Sequence, residues 1–201
     1  MTERFNDLLF HYAQERDEEQ RQRLDQRLWA TYGAERAVFV LDMSGFSAIV
    51  ERHGVVHYLS MVRRMQLTAQ PVIESYGGVI VKFEADNCFA TFPDSLGAVQ
   101  AAVALNQSFA AANLLTRDSS DIHISCGIDF GAILMVDGDD MFGHAVNRAS
   151  KLGEDIANAG QILITKEARD RIPANVGFRF DPQNFAISNI EIKAFQVLLG
   201  R

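Results

Sequence analysis

The stretch VIVKFEADNCFATF, residues 79–92, sets the fold class. Two runs rich in β-branched and aromatic residues flank a short polar break, the pattern of a hairpin with Ala85 and Asp86 at or near its tip. A hairpin requires antiparallel pairing. Outward from it, strand-like and helical runs alternate. AVFVL leads into Asp42, a helix is expected over residues 58–76 before Gly77 and Gly78, and an alanine-rich helix over 94–115 has Asp94 or Ser95 as its cap. IHISCGIDFGAILMV reads as a strand or a strand pair broken at Gly131. A helix over 146–156, the strand QILIT, a short helix over 166–171 and closing strands around Phe178 and over 190–199 complete the chain. Alternation combined with hairpins predicts an α+β fold with a mixed sheet and packed helices, not a doubly wound one.

Residues 3–32 contain no Pro or Gly and place Phe5, Leu8, Leu9 and Tyr12 at helical spacing, with a strongly polar run before Leu24, Leu28 and Trp29. One long helix, or two, laid outside the main core is expected, with Gly33 as the stop signal. The expected division is an N-terminal helical arm over 1–33 and a catalytic-sized domain over 34–201. The arm reads either as packing or as a dimer or signal-input helix.

The chain has 201 residues and a formal charge of -7. That balance argues against a broad basic face for nucleic acid, whose binding depends on neutralising many phosphates. A small anionic ligand needs only a few local cations. No apolar run approaches bilayer length, so a cytoplasmic protein without a membrane span is expected. Cys88 and Cys126 each lie in an apolar strand-like run without a zinc-like partner and read as packed free thiols. The histidines are scattered, and no histidine metal site or nucleophile elbow is present.

Two carboxylates stand beside predicted strands, Asp42 after AVFVL and Asp86 between the hairpin runs. Each must be solvated, paired or bound to a cation, because burying a bare charge is costly. Alone, either reads as a turn residue. On adjacent strand ends, two carboxylates can hold Mg²⁺ or Mn²⁺ and leave positions for phosphate oxygens.

The segments LDMSGFSAIVERHG, GGVIVKFEADNCFATF, GDDMFGHAVNRASKL and GQILIT, in this order and spacing, resemble class III adenylate/guanylate cyclase catalytic domains over about residues 36–199. The resemblance implies a ferredoxin-like mixed, largely antiparallel sheet. It implies that Asp42 and Asp86 bind two Mg²⁺ or Mn²⁺ ions, with Met43 offering a backbone carbonyl. Lys82 and Asp140 match the base-recognition positions of adenylate cyclases, Asn147 the residue that positions the ribose, and Lys151 the position of a transition-state arginine. The amides of Ser44, Gly45 and Phe46 would cradle the β/γ phosphates at a helix start.

Three positions depart from the family pattern. Ala85 replaces a glycine and is strained if its φ is positive. Lys151 keeps the arginine's charge without its planar fork. Asn189, in Ser188-Asn189-Ile190, occupies the place of a triphosphate lysine, with Lys193 nearby. The activity implied is conversion of a nucleoside triphosphate, ATP by the match at Lys82 and Asp140, to a 3',5'-cyclic monophosphate and pyrophosphate for signalling. The family builds its sites between two domains, which implies a homodimer with shared active sites. The three departures also suit a catalytically weak or inactive module that binds nucleotide and metal for regulation. A diguanylate cyclase or polymerase palm would use a similar pair of carboxylates, but the chain lacks GGDEF and carries DMFGHAVN.

Overall fold

The computed structural model describes residues 4–187 and 190–199. The arm is two helices, α1 (Phe5–Gln14) and α2 (Glu18–Tyr32), separated where Asp17 caps α2 by accepting from the Gln20 amide at 3.0 Å. Phe5, Leu8 and Leu28 form a small apolar cluster of their own with Leu24 and Tyr32. Gly33 ends α2 for a reason of space: a Cβ there would lie 2.3 Å from the Trp29 carbonyl oxygen. The chain passes from it directly into β1 (Gly33–Met43).

After β1 come α3 (Phe46–His53), α4 (Val55–Ser75), β2 (Val79–Glu84), β3 (Asn87–Phe92) and α5 (Ser95–Asn113). Next are β4 (Ile124–Val136), β5 (Asp140–Phe142) and α6 (His144–Ser150), which continues as a π-helical turn over Lys151–Ile156. The chain closes with β6 (Ile162–Thr165), α7 (Lys166–Arg169), β7 (Phe178–Ile187) and β8 (Ile190–Leu199). Among the described residues the strands form one eight-stranded sheet in the order β2-β3-β1-β4-β6-β8-β7, with β5 paired to β4. Only β4 and β6 run parallel; the other pairs are antiparallel. The predicted mixed-sheet α+β architecture is the one found. The hairpin turns at Ala85 and Asp86, and Asp94 caps α5 through the Gly97 amide at 2.8 Å.

The uniform apolar run AVFVL is explained by burial on both sheet faces. Phe39 and Leu41 face the larger core with Met61, Met65 and Ile73 of α4 and Leu105 and Phe109 of α5. Val38 and Val40 face the other way, onto Phe89, Met141, Ala145 and Ala149. Cys88 and Cys126 are buried free thiols in the larger core.

The expected break at Gly131 does not occur. β4 runs through it, paired with Arg36 of β1, and the chain turns instead after Val136, where Asp137 and Gly138 take left-handed φ of 51° and 81°. The Asp-Gly pair is the turn signal, whereas Gly131 serves packing: a Cβ there would meet the Ala145 Cβ at 3.4 Å. The helix expected from residue 146 starts at His144 and changes to π geometry at Lys151. That of residues 58–76 begins earlier, at Val55.

Two glycines set how closely the π turn lies on the sheet. A Cβ on Gly127 would fall 2.0 Å from the Ala149 carbonyl oxygen and 2.4 Å from the Gly153 nitrogen, and one on Gly153 would fall 2.9 Å from the Val40 oxygen. These are backbone atoms of packed elements and cannot swing aside. Gly127→Ala is therefore expected to destabilise the protein by about 3 kcal/mol, the upper range for overpacking, whereas Gly131→Ala costs less; urea unfolding midpoints of the two variants check this order.

Candidate active site

β1 carries Asp42 to its C-terminal end, opposite Asn87 of β3 on one side and Ser125 of β4 on the other. The β2–β3 turn supplies Asp86, and the Met43 amide donates to the Asp86 carbonyl oxygen at 3.2 Å, so the strand end and the turn are held together. Asp86 is buried, and the buried Tyr58 hydroxyl of α4 donates to its Oδ1 at 3.4 Å. The two predicted metal-binding carboxylates thus adjoin each other at one end of the sheet.

Their electrostatics are unbalanced. Burial first, then the charges of Asp86 and Glu154, push the Asp42 carboxyl up to about 6, against a lowering hydrogen bond from Ser125. Burial likewise raises Asp86, opposed by its own backbone hydrogen bond and by Tyr58. Burial and the adjacent Asp86 push the Tyr58 phenol up to about 12. Among the described residues neither aspartate has a lysine or arginine as ion-pair partner. Two partly buried carboxylates, both raised by burial and one of them also by the other, with no counter-ion among the described residues, fit a hard divalent cation, which supplies the missing positive charge. Among the described residues no three His, Cys, Asp or Glu side chains form a metal cage, so an ion here would draw its other ligands from oxygens outside that set.

Ser44 and Gly45 form the turn between β1 and α3, which begins at Phe46. Gly45 takes a left-handed φ of 86°, a conformation glycine adopts without penalty. The Ser44 Oγ is buried without a hydrogen-bond partner among the described residues. Its amide donates to the His123 carbonyl at 2.9 Å, so this N–H of the expected phosphate cradle is already engaged.

Lys82 of β2 and Asp140 of β5 meet, with Nζ 3.1 Å from Asp140 Oδ1. The sequence reading did not include Glu84, whose Oε2 also lies 3.1 Å from Lys82 Nζ. Lys82 is in addition 5.3 Å from the centroid of the Phe89 ring. Hydrogen bonds from the ammonium to both carboxylates, chiefly Asp140, raise the lysine's affinity for its proton despite burial. The period-2 alternation of β2 already put Glu84 on the face of Lys82, and that was the available signal.

Asn147 and Lys151, one helical turn apart, line a cleft of ≈ 580 Å³ together with His144, Arg148, Glu154 and Asp155. The Lys151 ammonium is paired with Asp155, one turn further on. A buried network also absent from the sequence reading fixes α6: Asp129 of β4 accepts from Arg148 Nε at 2.6 Å, from the Phe130 amide at 2.7 Å and from the Thr165 hydroxyl. Ser188 and Asn189 lie outside the described residues.

The fold is that of class III adenylate/guanylate cyclase catalytic domains. The chain is 28% identical over 156 residues to a putative adenylate cyclase 3 of Rhizobium meliloti (strain 1021), a match covering 77% of this chain and 26% of that protein. The chain thus spans about a quarter of the length of the curated relative it matches. Among solved structures it superposes on an adenylate/guanylate cyclase/hydrolase from Silicibacter pomeroyi with a TM-score of 0.68 and 28% identity, over 83% of this chain and 97% of that one. It shares the fold of the adenylyl cyclase CyaB from P. aeruginosa, with a TM-score of 0.71 and 22% identity over 84% and 97% of the two chains. No family model matches the chain. No helix among the described residues is long and apolar enough to cross a membrane.

Ala85 has a φ of 51°. A non-glycine residue there costs about 1–2 kcal/mol, and the extra freedom of glycine in the unfolded chain returns roughly 0.4–1 of it. Ala85→Gly is expected to stabilise the protein by up to about 1 kcal/mol, read from its urea unfolding midpoint.

Proposed function

We propose that the chain is a nucleotide cyclase domain that converts a nucleoside triphosphate, ATP in the first instance, to the 3',5'-cyclic monophosphate and pyrophosphate at sites shared between two copies. The observation that carries this reading is the Lys82–Asp140 contact at 3.1 Å, formed by residues remote in sequence. An ammonium donor next to a carboxylate acceptor matches the ring nitrogen and exocyclic amine of adenine. Asp42 and Asp86, with the Met43 carbonyl, would hold two Mg²⁺ or Mn²⁺ ions. Bound there, the metal would lower the pKa of the ribose 3'-hydroxyl and neutralise the triphosphate.

The remaining work is geometry and charge, since the attack is intramolecular. Asn147 orients the ribose so that its 3'-oxygen faces the α-phosphorus. Lys151 offsets charge that develops on the α-phosphoryl oxygens as pyrophosphate leaves. The turn at Ser44, Gly45 and Phe46 receives the β and γ phosphates, where the Ser44 amide is already held by the His123 carbonyl. Lys151 pairs with Asp155 in its own helix, and a partner copy would complete each site. The arm over residues 1–33 would influence the site through Phe5, whose ring stacks on Phe142 at 5.9 Å, two residues beyond Asp140.

The Lys151–Asp155 pair also favours a second reading. With its charge offset in the helix, Lys151 is a weak substitute for an arginine, and the domain would serve as a nucleotide- and metal-binding regulatory module. Chromatography of products formed from ATP, GTP, CTP and UTP with Mn²⁺ or Mg²⁺ separates the two readings. Metal-dependent nucleotide binding without any cyclic product would establish the module.

For the enzyme, Asp42→Ala and Asp86→Ala are each expected to abolish cyclic nucleotide formation in that assay. Lys151→Arg is expected to raise kcat roughly tenfold to a hundredfold, the value of one charge-assisted hydrogen bond gained in the transition state; an equal or lower kcat would show a site adapted to lysine.

A further inference from the structure

Asn87 follows Asp86 in sequence and stands directly opposite Asp42 in the β1–β3 register. Opposed residues of antiparallel strands project from the same sheet face with Cβ atoms about 4.5–5.5 Å apart, so Asn87 shares the face of Asp42. Its Oδ1 is buried and has no hydrogen-bond partner among the described residues. Buried amide oxygens are seldom left unmet, because the lost hydration is not recovered.

The side chains of the metal-binding pair do not meet it. Ionised Asp42 and Asp86 only accept, and the Tyr58 hydroxyl donates to Asp86. A cation satisfies all three oxygens at once, and hard divalent ions take side-chain amide oxygens alongside carboxylates. We propose that Asn87 Oδ1 is a third side-chain oxygen for the divalent cation held by Asp42 and Asp86. This rests on the two-carboxylate reading given above.

The residue type fits the local charge. Glu154 and Asp155 already add negative potential at Asp42. A third carboxylate would deepen the repulsion in the metal-free protein, whereas a neutral amide adds an oxygen ligand without adding charge.

The test is Mn²⁺ binding to the full chain, followed by loss of the free-ion electron paramagnetic resonance signal and by the Mn²⁺-dependent rise in Tm over EDTA. Asn87→Ala is expected to weaken Mn²⁺ binding roughly tenfold and to shrink the Mn²⁺-dependent rise, without lowering Tm in EDTA. Asn87→Asp is expected to bind Mn²⁺ at least as tightly as wild type and to melt lower in EDTA. Equal Mn²⁺ affinity in Asn87→Ala and wild type overturns the proposal, as does an Asn87→Asp variant that binds as weakly as Asn87→Ala. Cyclic nucleotide formation by a protein whose Mn²⁺ affinity is indifferent to Asn87 overturns this inference alone. Asn87-dependent Mn²⁺ binding without any cyclic product overturns the enzymatic reading alone.

Discussion

The structure depends on the pairing of β1 along both of its edges, with β3 on one side and β4 on the other. A central strand with both edges hydrogen-bonded and both faces covered has no freedom of register, because a one-residue slip would exchange its two apolar faces. That constraint places the last residues of β1 with precision. Asp42 is set against Asn87 and Ser125, and the Met43 amide is tied to the turn that carries Asp86. The polar end of an otherwise apolar strand is thus held by the whole sheet.

A second constraint comes from the close approach of Gly127 and Gly153. It lays α6 and the π turn on the backbone of β1 and β4, which puts the charge of Glu154 within influence of Asp42. The result is a surplus of negative charge at one end of the sheet, while the cations are engaged elsewhere, Lys82 with Glu84 and Asp140, and Lys151 with Asp155. The arm joins this arrangement through the β4–β5 hairpin, where Leu134 and Val136 pack on its apolar cluster and Phe142 stacks on Phe5.

Much of the fold was legible locally. The hairpin at Ala85 and Asp86, the cap at Asp94 and the two-sided burial of AVFVL follow from turn chemistry, side-chain capping and continuous hydrophobicity. Gly131 was misread because glycine marks both a break and a close approach, and only the position of α6 distinguishes them. Tyr58 and the Asp129–Arg148 pair escaped notice because their partners lie on other elements. No local pattern announces such contacts.

The sequence by itself determined most element types and the antiparallel hairpin, which follow from side-chain chemistry and short-range periodicity, and its motifs supplied the candidate residues for metal, base and phosphate. Only the tertiary structure decided which of them meet. It paired Lys82 with Asp140, set Asn87 beside Asp42 and gave Lys151 to Asp155, because strand register and the glycine contacts, not sequence spacing, fix the distances between charges.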